Sequence, residues 1–128
     1  MKTLTIHQHW ADAIFDHGKN VENRIWQTPH RGDLLIHAGY SKQSLEASKQ
    51  FIKRLSNEVI KKPKFGFILG KVTLVNCVPY VVGDWDIPNQ YHWILQNPVK
   101  CTPYPMSGKL SLWDFDETLL DWNYQQTS

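Results

Sequence analysis

The chain has 128 residues, 41% hydrophobic and 20% charged, which is room for one core and too little for two. No apolar run approaches the roughly 20 residues that a bilayer crossing needs, and no charged-then-apolar leader opens the sequence, so no membrane association is expected and the cytoplasm is the expected compartment. The formal charge of +2 hides an asymmetry: residues 114–128 hold Asp114, Asp116, Glu117 and Asp121 and no Lys or Arg, leaving all 14 basic residues in a body whose sign favours polyanions such as nucleic acid.

Leu4-Thr5-Ile6 predicts a short strand, and His7-Gln8-His9-Trp10 leads into a helix that runs to about His17. Trp10, Ala13 and Ile14 form its apolar stripe, and Gly18 is its stop. His7 and His9 stand two apart as chelating histidines do, but no third His, Cys or carboxylate follows at a convincing spacing. Neither a metal nor a cofactor is therefore expected. A period-2 segment comes next, with Lys19, Val21, Asn23 and Ile25 pointing one way and Asn20, Glu22, Arg24 and Trp26 the other. With Val21 and Ile25 toward the core, the second face sets an acid, a base and an indole side by side. By pattern alone that face reads equally well as a solvated strand with a Glu–Arg pair. Thr28-Pro29-His30-Arg31-Gly32 is a turn, and residues 33–38 are an apolar strand whose His37 is read as a satisfied histidine in preference to a catalytic base.

Residues 42–60 carry the clearest helical pattern, with Leu45, Ser48, Ile52, Leu55 and Val59 on one stripe and Ser41 or Ser44 as cap. Lys53, Arg54, Lys61 and Lys62 cluster toward its end, where the helix dipole favours them, and read as a solvated face or a phosphate-contacting edge. Phe65–Tyr80 is a long β run with Gly66 and Gly70 as bulge or close-approach points; Cys77 within it reads as a buried free thiol. Residues 83–90 form a loop exposing Trp85, Tyr91–Leu95 is a strand, Asn97-Pro98 turns, and Val99–Thr102 is a short strand that Pro103 and Pro105 place at an edge. Residues 110–115 are a last strand, and Leu119, Leu120 and Trp122 are the apolar contacts of a short helix or docked tail. The pattern predicts an α+β domain over residues 1–115 on a small closed or partly open β-barrel, followed by an acidic tail or short docked helix over 116–128.

Lys19-x-x-Glu22-x-Arg24, then Trp26, a turn, Arg31-Gly32 and Leu34-Leu35-Ile36-His37-Ala38, resembles the signature of the ASCH domain family. The resemblance extends to Ile6-His7-Gln8-His9-Trp10-Ala11, Phe67–Val72, Tyr91-His92-Trp93, Asn97-Pro98 and Gly108–Trp113, in family order. His9 stands where the family usually has Pro, and the family's Gly two before the Lys is here His17. The resemblance implies a PUA-like pseudobarrel with helices packed at its openings, and a ligand cleft lined by the Lys-x-x-Glu-x-Arg motif.

Several chemistries suit that motif. Aromatic rings beside cations fit single-stranded nucleic acid or a lone nucleobase, and a carboxylate accepts from an exocyclic amine. Gln8, Trp10, Arg24, Trp26, Arg31, Tyr91, His92 and Trp93 are the candidate ligand-binding residues, for RNA, another single strand or a modified nucleoside; taken singly, Trp10, Trp93 and Trp113 also read as core. An enzyme would use Lys19 and Glu22. One branch of the family resembles an amidohydrolase of N4-acetylcytidine whose Lys is followed three residues later by Thr; Glu22 occupies that position here. Another branch resembles a ribonuclease, for which Glu22 or a histidine with Lys19, Arg24 and Arg31 supplies base and cations. The third reading is a non-catalytic adaptor that meets a protein partner through Trp85 and the acidic tail.

Overall fold

Five consecutive buried residues, Leu34 to Ala38, place the strand Gly32–Gly39 (β3) at the centre of the sheet, because alternate side chains there feed apolar clusters on both faces. The computed structural model describes residues 1–56 and 59–124. Around β3 run β1 (Lys2–His7), β2 (Val21–Arg24), β4 (Phe67–Val78), β5 (Tyr91–Pro105) and β6 (Leu112–Asp114), with helices α1 (Trp10–Asp16) and α2 (Lys42–Leu55). The six strands lie in the order β2-β5-β4-β3-β1-β6; β1 and β3 are parallel and every other pair is antiparallel. This curled mixed sheet with two helices is the small α+β, PUA-like barrel that the sequence predicts.

The curl has local causes. β4 and β5 pair over most of their length, yet their register shifts between Ile68 and Gly70, Lys71 and Thr73, and Leu74 and Asn76. Each irregularity adds bend and twist to the ladder. Gly70 permits the closest approach, since a Cβ there would lie 2.2 Å from the Val99 carbonyl oxygen. Asn97-Pro98 does not end the strand as expected: Asn97 takes φ 54° and the chain continues as one strand to Pro105. The far half of β5 runs beyond its short partner β2, so Pro103 and Pro105 do sit where a missing N–H costs no second ladder.

One cluster of buried side chains holds Leu4, Ile6, Leu34, Ile36, Val72, Leu74 and Trp93, closed by Ala11 and Ile14 of α1. The other gathers Leu35, Ile68, Cys101, Trp113, Phe115 and Leu120. Leu120 brings the acidic segment with it: Thr102 N donates to Asp121 O, and Lys71 Nζ lies 5.0 Å from the Trp122 ring centre. Cys101, buried and free, has its thiol pushed up to about 11 by desolvation, whereas Cys77 is only half-buried. His37 is satisfied on both nitrogens, Nε2 donating to the Met106 carbonyl and Nδ1 accepting from Thr5 Oγ1; burial holds its pKa below the ordinary value. Among the described residues no helix is long and apolar enough to cross a membrane.

α2 is capped by Ser41, whose Oγ accepts from Ser44 N, and is anchored through the buried Ser48 and Ile52. Ser48 Oγ accepts from His9 N at 2.7 Å, tying α2 to the entrance of α1. The helix stops at Leu55, short of the predicted end at residue 60. Leu55 and Val59 are exposed and so leave the buried stripe, and residues 57–58 lie outside the described residues.

Candidate functional site

Gly18 decides where the Lys19 ammonium goes. With φ +70° it turns the chain at the end of α1, so that Lys19 N donates back to Ala13 O and the side chain folds inward. Lys19 therefore precedes β2 and escapes the strict alternation of a strand. Its Nζ reaches Glu22 Oε1 at 2.6 Å, although parity placed the two residues on opposite faces. Arg24 reaches the same carboxylate from the other side: Nε donates to Oε2 at 3.1 Å, while Nη2 lies 3.0 Å from Oε2 and donates to Thr5 O at 2.8 Å. That last bond runs from the edge strand β2 to β1 and spans the gap in the curled sheet.

Glu22 is thus a buried carboxylate between two cations. Desolvation by itself pushes its pKa up, but the charges and hydrogen bonds of Lys19 and Arg24 together hold it below the ordinary 4.5. It is ionised at neutral pH, and each of its oxygens already accepts a charge-assisted hydrogen bond.

These residues line a cleft of about 410 Å³. Its aromatic part comes from three elements: Trp10 at the start of α1, Phe51 of α2, and Trp85 of the loop between β4 and β5. The Trp85 ring lies 5.2 Å from Phe51 and 6.4 Å from Trp10, and Lys19 Nζ lies 5.6 Å from the Trp10 ring centre. Asn23 fixes the loop. Its Nδ2 donates to Trp85 O, which turns Oδ1 toward Ile87 N and the buried His92 ring; His92 Nδ1 therefore donates, at 2.9 Å.

The remaining residues named from sequence fall elsewhere. Trp93 is wholly buried, with Trp26 edge-on at 4.8 Å and Trp93 Nε1 donating to Trp26 O; Tyr91 packs against the same cluster. Ile25, expected in the core, is 81% exposed, because β2 ends at Arg24 and the chain bends to lay Trp26 on Trp93. Arg31 braces its own turn, donating to Thr28 O and His30 O. Gln8 lies among the residues lining a second cavity of about 300 Å³, its Nε2 donating to Asp12 Oδ1. Val21 is buried as expected.

The cleft also contains residues that the motif did not point to: His7, Ser44, Ala47, Phe51, Arg54 and Asp86. Four of them carry a legible signal. Positions 44, 47, 51 and 54 follow the three- and four-residue spacing of a helix face, beside the buried stripe through Ser48 and Ile52.

A family model described as ASCH domain matches residues 4–105. Activating signal cointegrator 1 of Homo sapiens is 30% identical over 132 residues, covering 91% of this chain and 22% of that protein. Its namesake from Mus musculus is 28% identical over 130 residues, with the same 91% and 22%. The chain therefore spans about a fifth of the length of these curated relatives.

Proposed function

The chain belongs to the ASCH domain family, and from that premise we propose that it binds a nucleotide or a short stretch of single-stranded RNA in the cleft beside Lys19, Glu22 and Arg24. The observation that carries this reading is the combination of an ionised, buried Glu22 with the rings of Trp10, Phe51 and Trp85 around one concavity. At about 410 Å³ the cleft lies within the roughly 300–1,000 Å³ of small-molecule pockets, a size that suits one base and its sugar. Stacking on an aromatic contributes roughly 1–3 kcal/mol per base, and a carboxylate wall favours a base edge that presents an amine.

The geometry favours binding over turnover. A general base works best with a pKa near the working pH. Glu22 has its oxygens engaged by Lys19 and Arg24 and is held below the ordinary carboxylate value. It is better suited to accept a hydrogen bond than to carry a proton away. In the amidohydrolase and ribonuclease readings, Lys19 and Glu22 would have to separate first.

Intrinsic tryptophan fluorescence, titrated with nucleosides and short single-stranded RNAs, tests the proposal. Quenching that saturates in wild type and weakens about tenfold or more in Trp85→Ala is the expected result, the scale of one lost stacking partner. Equal affinity in wild type and Trp85→Ala would remove the cleft from the account. Release of acetate from N4-acetylcytidine by wild type, lost in Glu22→Gln, would replace the binding reading with the enzymatic one.

A further inference from the structure

The cations of the family motif are already engaged by groups of the protein. Lys19 has a side chain only 2% exposed and is spent on Glu22. Arg24, its side chain 26% exposed, is held by Glu22 and by the Thr5 carbonyl. A third cation lines the same cleft: Arg54, in the last turn of α2, is exposed, and its guanidinium lies 5.6 Å from the Phe51 ring. Among the described residues no carboxylate lies within ion-pair distance of it. On one side of the cleft Lys19, Glu22 and Arg24 pair with one another and the buried Asp86 side chain accepts from Val82 N, whereas Arg54 and the Ser44 hydroxyl come from α2.

Building on the reading that the cleft binds a nucleotide, we propose that Arg54 is the phosphate contact of the site and that the ligand is a phosphorylated nucleotide, not a bare nucleoside. Arg54 recognises the phosphoryl oxygens with its planar fork of N–H donors while its inner face remains against Phe51. The base occupies the aromatic part of the cleft, its amine-bearing edge toward Glu22. The acid and the two engaged cations of the motif then shape the wall, and discrimination for the anion resides in a helix outside the motif. The phosphate is either the terminal group of a mononucleotide or a backbone phosphodiester of a strand passing through the cleft.

The full chain is titrated by tryptophan fluorescence with cytidine, cytidine 5′-monophosphate, cytidine 3′-monophosphate and a four-nucleotide oligocytidine, for wild type, Arg54→Ala, Arg54→Lys and, as a control on general charge, Lys62→Ala. Arg54 is exposed, so these variants keep the fold, which the thermal unfolding midpoint verifies. In wild type at least one phosphorylated probe binds about tenfold tighter than cytidine, the order of one charge-assisted hydrogen bond. Arg54→Ala abolishes that preference, weakening the phosphorylated probes at least about tenfold more than cytidine; Arg54→Lys retains part of it, and Lys62→Ala retains all of it. A preference confined to the oligonucleotide assigns the contact to a backbone phosphodiester, and one shared by a monophosphate assigns it to a terminal phosphate. Cytidine binding as tightly as every phosphorylated probe, or a preference that survives in Arg54→Ala, overturns the assignment and leaves the nucleotide-binding reading standing. Failure of wild type to bind any of the four probes overturns both.

Discussion

Glu22 shows how strongly one side chain can be committed by its neighbours. Its carboxylate is taken out of water between Lys19 and Arg24, and breaking a buried pair by removing one partner typically costs about 3–5 kcal/mol, because the other charge is stranded. Glu22→Gln is accordingly expected to lose about 3 kcal/mol of stability at pH 7, measured by urea denaturation. The sign of the pH dependence follows from the depressed pKa. An unfolded chain regains the ordinary value of 4.5, so the stabilisation is fully present above that pH and fades as the folded carboxyl titrates below it. The gap between wild type and Glu22→Gln should therefore close between pH 5 and the acid limit; a gap that stays constant to pH 3 would contradict the assignment.

At the scale of elements, β4 and β5 carry the most consequential packing, and Gly70 is where they meet most closely. A methyl group there would meet the Val99 carbonyl oxygen at 2.2 Å and the Lys100 Cα at 2.9 Å, both backbone atoms that cannot swing aside. Gly70→Ala is expected to lower the unfolding free energy by more than about 2 kcal/mol, whereas Gly83→Ala, with open space around it, should be close to neutral; chemical denaturation compares them. The glycine was legible in the sequence as a break in an apolar run, and so were the strand around Leu34–Ala38, the stop at Gly18 and the body of α2. Element ends were less legible. Ile25 fits a core stripe by alternation but lies outside, because a four-residue strand gives way to a bend that alternation cannot anticipate. The motif announced Lys19, Glu22 and Arg24, yet their meeting depends on a left-handed glycine that overrides parity. Trp93, which taken singly reads as core, is wholly buried, and Trp26, named with it among the candidate ligand contacts, packs edge-on against it. Trp85 and Arg54 reach the cleft only through long-range folding, from a loop and a helix remote in sequence.

Over the whole molecule, the cleft and the closure of the sheet share a residue. Arg24 donates to Glu22 on the cleft side and to the Thr5 carbonyl on the strand side, a pairing that the fixed guanidinium fork permits and a lysine cannot reproduce. Arg24→Lys is therefore expected to cost about 1–2 kcal/mol, the scale of one or two lost hydrogen bonds, and to speed amide hydrogen exchange in β1 and β2 more than in β3. Uniform acceleration across the sheet would count against a local seam. The consequence reaches beyond stability. In the proposed complex, a base competing for Glu22 would draw on the same guanidinium that ties β2 to β1. A substitution at Arg24 that reshaped this socket would therefore also loosen the seam between those two strands.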